Sequence, residues 1–328
     1  MRNKKRVLVT GGGGFIGSHF IYKLLSDDPN KKILNLDSIS YATSKKTLEL
    51  FNDFKNYRFQ KIDINNYEEL LLAFIDFQPD IVVHFAAESH VDNSLAGPKV
   101  FLETNIMGTF NLLQASLEIK KNIPSIMFHH VSTDEVYGDL AFHAPKFTED
   151  SNFKPSSPYS VSKASSDLLV QSWARTFNLN YIITNCSNNF GARQHSEKLI
   201  PTVIKRILSN KKIPIYGNGL NIRDWIFVKD HANAIISIHD HNLINERINI
   251  GGDNEIANIS LVNKILEMMD CSDDLIEYID DRPGHDLRYA IDNSKIYSLT
   301  NWKPSKLFVE NLQETINWYQ KNSDWWES

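Results

Sequence analysis

Tyr159-Ser-Val-Ser-Lys163 sets a phenol and an ammonium four residues apart, a spacing that puts both on one face of a helix. Pro158 suits the first helical position and Ser157 the cap before it. A neighbouring ammonium favours phenolate, so the pair predicts a lowered tyrosine pKa and a general base. Taken alone, a Tyr and a Lys at this spacing describe an ordinary surface pair. Ser132-Thr-Asp-Glu-Val-Tyr-Gly138 adds to it, because it follows an apolar run ending near Val131. Ligands bind at the carboxyl ends of parallel strands, which aims Thr133, Asp134 and Glu135 at a crevice. Two adjacent carboxyls beside a Tyr–Lys pair can divide acid and base roles. The competing reading is an acidic turn.

A third feature is Thr10-Gly-Gly-Gly-Gly-Phe-Ile-Gly17. Such a run serves a tight turn, a close approach of backbone to a pyrophosphate, and a helix packed on a strand. Both Gly11/Gly14/Gly17 and Gly12/Gly14/Gly17 fit, as G-x-x-G-x-x-G or G-x-G-x-x-G. The unpaired N–H groups of the following helix would face the phosphates. Asp37 ends the next apolar run about 20 residues on, where a carboxylate binds a ribose 2′-OH and repels a 2′-phosphate. NAD is therefore expected over NADP.

The elements that must position these groups alternate. Short apolar runs at 7–9, 33–36, 81–85 and 126–131 read as buried parallel strands. Amphipathic stretches at 15–25, 67–77 and 101–117 read as helices between them. This is the pattern of a doubly wound α/β sheet. The rhythm breaks near residue 190. The expected division is 1–190, carrying the dinucleotide site and the catalytic residues, and 191–328, a smaller mixed α/β substrate-binding part. The boundary is soft, since Trp225–Val228 reads as a further strand able to join the main sheet.

In the second part, Arg223-Asp-Trp225 and Asp281-Arg-Pro-Gly-His-Asp286 offer guanidinium groups suited to phosphate, with a structural ion pair as the equal alternative. His84, His129 and His130 have no metal-ligand spacing and read as satisfied core or crevice residues. Trp302, Trp318, Trp325 and Trp326 read as packing of the C-terminal helix. Asn258-Ile-Ser260 matches a glycosylation sequon, without a secretory signal to make it relevant.

Composition narrows the class. Hydrophobic residues at 42% and charged residues at 23% are ordinary for a globular chain of 328 residues. A net charge of −5 gives no basic balance for nucleic acid. No apolar run reaches the length of a membrane span. The basic start, residues 1–6, is followed by too short an apolar stretch for a signal peptide. Cys186 and Cys271 cannot build a disulfide framework, and reduced thiols fit a cytoplasmic location. No metal is expected.

Together these segments resemble the extended short-chain dehydrogenases/reductases and, within them, the nucleotide-sugar 4,6-dehydratases of the dTDP-glucose type. Ala86–Asp92, Asn185–Asn189, Glu197–Pro201 and Ile222–Trp225 also carry the resemblance, which spans nearly the whole chain. The Thr-Asp-Glu triplet is its most specific part. The resemblance implies a Rossmann-type fold, NAD as cofactor, and dTDP-glucose or a closely related nucleotide sugar as substrate. The implied reaction oxidises C4 with NAD as hydride acceptor, loses water across C5–C6 and returns the hydride to C6.

The resemblance also implies roles. Gly11, Gly14, Phe15, Ile16, Gly17, Asp37, Asp63, Ile64, Ala86, Ala87, Thr104 and Asn189 would line the NAD site, with Lys163 on the nicotinamide ribose. Tyr159 would take the 4-OH proton, assisted by Thr133. Glu135 would remove the C5 proton, and Asp134 would protonate the departing 6-OH. Ser89, Asn188, Lys198, Leu199, Arg223, Asn258, Arg282 and His285 would bind the nucleoside diphosphate sugar. A homodimer is implied, pairing the Tyr159 helix with that near 101–117, the small Ala164, Ser165 and Ser166 allowing close approach. Asn93, Ala192 and Ser196 depart from the family pattern, which has Arg, Pro and Pro there.

Three other readings compete. A UDP-glucose 4,6-dehydratase differs by one methyl on the base, worth on the order of 1–3 kcal/mol. A UDP-sugar 4-epimerase needs no acid to expel a 6-OH. A non-catalytic NAD-binding protein is permitted by the fold.

Overall fold

The computed structural model describes residues 6–305 and 307–326, without the side chains of residues 324 and 326. Most of the basic start (residues 1–5) and the indole of Trp326 therefore lie outside the described residues. Twelve strands are described: β1 (Arg6–Thr10), β2 (Lys32–Asp37), β3 (Tyr57–Lys61), β4 (Ile81–His84), β5 (Met127–Thr133), β6 (Asn180–Cys186), β7 (Asn188–Phe190), β8 (Ile213–Tyr216), β9 (Ile222–Phe227), β10 (Glu246–Ile250), β11 (Glu255–Ala257) and β12 (Ile276–Ile279).

Seven of them form one sheet in the order β10-β6-β5-β4-β1-β2-β3, parallel throughout. Chain order reverses between β1 and β4, which opens a crevice at their carboxyl ends. Alternation along each strand feeds two layers. Val7 and Val9 join one core with Ile33, Ile81, Val83, Met127 and Ile182. Leu8 joins the other with Leu34, Val82, Phe128 and Ile183. The first layer is covered by the helices Phe15–Asp27 and Val228–Asp240, through Phe20, Ile21, Leu24 and Ile235. The second is covered by Tyr67–Phe77, Gly108–Lys120 and Pro158–Phe177. Each core Leu or Ile contributes about 1.5–3 kcal/mol by leaving water. The expected doubly wound sheet with helices on both faces is what the chain adopts.

Trp225–Val228 does not extend this sheet. β9 pairs with β7 and β11 in a separate three-stranded sheet. The segment that returns from beyond residue 190 is β10, paired with β6. β8 and β12 form a parallel pair, and Phe190, Ile204, Trp225, Leu261 and Ile316 share a third core. The tryptophans divide as well. Trp318 meets Trp325 edge-on at 5.4 Å, whereas Trp302 packs with Tyr297 against the main sheet's core. Both cysteines are free, and no described helix is long and apolar enough to cross a membrane.

Candidate active site

The crevice at the carboxyl ends of β1, β4 and β5 opens into a cavity of about 440 Å³. It is lined by Gly11, Gly14, Phe15, Ile16, Gly17, Asp37, Asp63, Ile64, Ala86, Ala87, Ser89 and Thr104, and by Thr133, Asp134, Glu135, Tyr159, Lys163, Asn188, Asn189 and Lys198. Leu199, Arg223, Asn258, Arg282 and His285 are not among its lining residues.

The glycine turn resolves the open spacing. Gly11, Gly14 and Gly17 line the cavity, and Gly12 and Gly13 do not. Gly11 sits at φ +72°, and a Cβ there would fall 2.6 Å from the Ala86 nitrogen. A Cβ on Gly17 would fall 2.5 Å from the Gly11 carbonyl oxygen. Gly12 N–H donates to Asn35 Oδ1 (3.0 Å) and Gly13 N–H to Asp37 Oδ2 (2.9 Å), so these two glycines anchor the turn to β2. The helix that follows has no side-chain N-cap, leaving first-turn N–H groups directed at the cavity. Asp37 is 6% exposed, and its Oδ1 also accepts from Ile39 N–H and Thr43 Oγ1.

Tyr159 and Lys163 lie on the helix Pro158–Phe177, with Pro158 at its start. Ser157 caps it through Ser160 N–H (3.1 Å), and Ser160 Oγ accepts from Ser157 N–H in return. Both site side chains are buried. Lys163 Nζ donates to the Val131 carbonyl at 2.9 Å and lies 3.3 Å from His130 Nε2.

The expected lowering of the tyrosine pKa does not occur. Burial raises Tyr159 well above its ordinary value, and the negative charge of Glu135 adds to the rise, while a hydrogen bond with Thr133 opposes it. The spacing puts Lys163 on the same face, but its ammonium turns toward β5 instead of the phenol.

Thr133 ends β5 and caps the short turn Asp134–Tyr137 through Glu135 N–H. The two acids sit under unlike fields. Burial pushes Asp134 well above the carboxylate range, and Glu135 and Asp224 push it further. Asp134 Oδ2 is buried with no hydrogen-bond partner. Burial also raises Glu135, but Arg223, Lys198 and Arg282 pull it back. Burial therefore favours the neutral form of both acids, and the nearby cations oppose it more at Glu135 than at Asp134.

These cations come from the second half. Arg223, 7% exposed, donates to the carbonyls of Ile222 (2.8 Å) and Asp286 (2.9 Å) and stacks over Tyr289. Arg282 pairs with Asp92 at 3.3 Å and covers Tyr216. His285 Nδ1 meets Asp281 Oδ1 at 2.7 Å. Asn258 begins a helix with its Oδ1 buried and without a hydrogen-bond partner. Leu199 packs against the third core. Asn189 spends its amide on Ser187 and His231.

Sequence reading missed Thr43, Glu88, Cys186, Gln194, His195 and Glu197 as cavity walls. Apart from Cys186, which ends β6, they come from loops without a fixed spacing. One of the departing residues helps join these loops: Asn93 hydrogen-bonds Tyr41, whose ring meets His195 edge-on. The small residues expected to allow a close approach are used inside the chain. Ala164 and Ser166 are buried within the chain, and Ser166 Oγ donates to the Asn105 carbonyl. The exposed apolar residues there are Val161, Leu168, Leu102 and Met107.

A family model described as GDP-mannose 4,6 dehydratase matches residues 8–315. The chain belongs to that family. It is 44% identical to a dTDP-glucose 4,6-dehydratase of Neisseria meningitidis serogroup B, over 99% of this chain and 96% of the relative. Its fold superposes with a TM-score of 0.93 on the Streptomyces venezuelae dTDP-glucose 4,6-dehydratase solved with NAD and dTDP bound, at 40% identity and covering 98% and 99% of the two chains. A UDP-glucose 4-epimerase of Thermotoga maritima shares the fold at TM-score 0.88 but only 26% of the sequence, over 97% and 99% of the chains.

Proposed function

We propose that this chain converts dTDP-glucose into dTDP-4-keto-6-deoxyglucose, with NAD as its cofactor, as a step toward rhamnose-type deoxysugars. The observation that carries the reading is the adjacent pair Asp134 and Glu135 at the end of β5, held in different fields beside Tyr159. An epimerase has no use for an acid that expels a 6-OH. The dTDP-glucose 4,6-dehydratases at 43–44% identity support the substrate over the mannose nucleotide of the family description.

The cavity fits NAD. Its glycine cradle leaves no room for a Cβ at Gly11 or Gly17, its helix N-terminus is uncapped, and Asp37 stands at the end of β2. Phe15, Ile16, Asp63, Ile64, Ala86, Ala87 and Thr104 complete the walls. Lys163 would hold the nicotinamide ribose. NAD, when bound, supplies the hydride acceptor and donor and a cationic ring.

Tyr159 is a phenol in the free site, and the cationic ring of bound NAD would favour its ionisation. As phenolate it takes the proton of the sugar 4-OH, and Thr133 hydrogen-bonds that oxygen. The ketone so formed acidifies C5. Glu135 removes the C5 proton; burial raises its carboxyl, and Arg223, Lys198 and Arg282 oppose that rise. Asp134, kept protonated by burial, gives its proton to the leaving 6-OH. Positioned groups of this kind contribute typically ~10²–10⁴-fold each. Ser89, Asn188, Lys198, Leu199, Arg223, Asn258, Arg282 and His285 bind the nucleoside diphosphate sugar, which divides the work between residues 1–190 and 191–328.

The working form is a cytoplasmic homodimer that buries Val161, Leu168, Leu102 and Met107. Light scattering at micromolar concentration is expected to give twice the chain mass, and a monomer overturns that part. The substrate is tested by incubating the NAD-loaded protein with dTDP-glucose, UDP-glucose and GDP-mannose in parallel. Loss of one water from dTDP-glucose, ahead of the other two, is the expected result. Turnover of another nucleotide sugar in its place, or of none, rejects the reading.

A further inference from the structure

Beneath the cavity lies a buried polar group that the reaction does not use. Asp167 follows Lys163 by one turn of the same helix and is fully buried. It does not line the cavity. Its Oδ1 lies 3.3 Å from His130 Nε2, the same atom that lies 3.3 Å from Lys163 Nζ. Its Oδ2 accepts from Asn185 Nδ2 at 3.1 Å, and that amide also donates to the Thr133 carbonyl at 3.1 Å. One carboxylate thus touches the supports of both the lysine and the catalytic threonine.

We propose that Asp167 is a positioning residue, the buried counter-charge that keeps Lys163 an ammonium, with His130 wedged between the two. This rests on Lys163 serving as the cation of the site.

Among the described residues, the neighbours leave no other candidate for that charge. Burial pulls Lys163 down to about 8, and Asp167 is the largest influence opposing it. From the end of β6 the Cys186 thiol also faces the lysine, but burial pushes it up to about 12, so it is neutral in the working range. His130 on β5 and His84 on β4 are held neutral by burial. Tyr159, one turn back, is raised by burial and stays a phenol in the free site. Facing Asp167 are Lys163, His130, Arg247 of β10, Ser132 and Asn185, and the Tyr137 phenol, which burial raises and keeps neutral. Burial raises Asp167 to about 6. Both partners are therefore ionised only between about pH 6 and about pH 8. Below that window the aspartate takes a proton and the lysine loses its counter-charge. Above it the amine itself goes neutral.

The test uses the full chain carrying lysine labelled with ¹³C at Cε, the Lys163 resonance being assigned by its loss in Lys163→Arg. In the parent protein this resonance should move in two steps, a small one near pH 6 as Asp167 ionises and a full one near pH 8. Asp167→Asn should abolish the first step and lower the second midpoint by about one pH unit or more, a tenfold loss of ammonium at a fixed pH above it. The alkaline limb of kcat should move by the same amount, with KM for the nucleotide sugar changed less than about twofold, and Asp167→Glu should restore both. A single step near the ordinary lysine value in the parent protein overturns the proposal, and so does a midpoint unmoved in Asp167→Asn. A uniform drop in kcat at every pH would make Asp167 a packing residue only. The resonance is read without substrate, so it decides the proposal even if the chain turns over a different nucleotide sugar.

Discussion

Asp134, Tyr159 and Lys163 are buried and tied to β5 or to the helix that packs on it, whereas Arg282 and the Asp281–His285 pair sit in loops at the surface. The groups of the first region are fixed by the main sheet before anything binds. Those of the second, and Arg223 of β9 beside them, are satisfied by exchangeable partners of the same chain: Arg223 by backbone carbonyls and a tyrosine face, Arg282 by Asp92 and another tyrosine. A group already in place acts on the barrier, while one that must change partners acts on affinity. The difference teaches that kcat should be written in the sheet and substrate affinity in the loops.

The largest effects are expected inside the first region, where the two acids can be told apart. Glu135→Gln and Asp134→Asn each keep shape and remove one function. Each should slow elimination by about 10²–10⁴-fold. Solvent deuterium should still enter C5 of the bound sugar in Asp134→Asn, because the base survives. It should be lost in Glu135→Gln. Mass spectrometry of the quenched nucleotide sugar reads both. The reverse pattern would exchange the roles of the two residues. Parent-rate elimination in either variant would remove that residue from the chemistry.

The same contrast explains what could be read in advance. The glycine turn, Asp37 and the Tyr159–Lys163 face follow from local spacing, because helix and strand periods fix which residues meet. The parallel strands were legible for the same reason, since a strand covered on both faces is a short continuous apolar run. Burial is not local. The spacing placed Lys163 beside Tyr159 but could not show that the phenol is desolvated and the ammonium turned toward Val131. Likewise, small residues at 164 and 166 signalled a close approach without saying to what, and the partner of Ser166 is Asn105 of the same chain. In the second half, the contacts of Arg282 with Asp92 and of Lys198 with Ser89 join segments far apart in sequence, with no period to announce them.

Arg223→Ala probes the second half of the molecule from a buried position on β9, beside the loop that carries Asp286. The guanidinium makes charge-assisted hydrogen bonds that a diphosphate can take over. Their loss should weaken nucleotide-sugar binding by about ten- to a hundredfold, while NAD affinity stays within about twofold. Calorimetric titration of the two ligands separates these effects. Arg223 also biases Glu135 toward ionisation, so a smaller fall in kcat at low pH should accompany the change. An unchanged substrate dissociation constant would make Arg223 a brace for the 286–287 backbone and nothing more.

The smallest expected effect falls on Asp37, where the first region also has to discriminate. Its carboxylate cannot swing away from a ligand, because Gly13 N–H, Ile39 N–H and Thr43 Oγ1 already hold both oxygens. A ribose 2′-OH can still donate to it, whereas a 2′-phosphate would bring a second anion against a fixed, nearly buried one. At about 4 Å and an effective dielectric of about 20 that repulsion approaches 4 kcal/mol before relaxation and screening. Rearrangement of the phosphate should leave a preference for NAD over NADP of about tenfold or more. Asp37→Asn should narrow the preference by removing the charge. It should also lower the melting temperature, since an amide cannot accept at both oxygen positions and one of the three anchors is lost. Equal affinities of the parent protein for the two dinucleotides would show that the carboxylate does not face the ribose. A narrowed preference with an unchanged melting temperature would show instead that the anchor at Gly13 carries no stability.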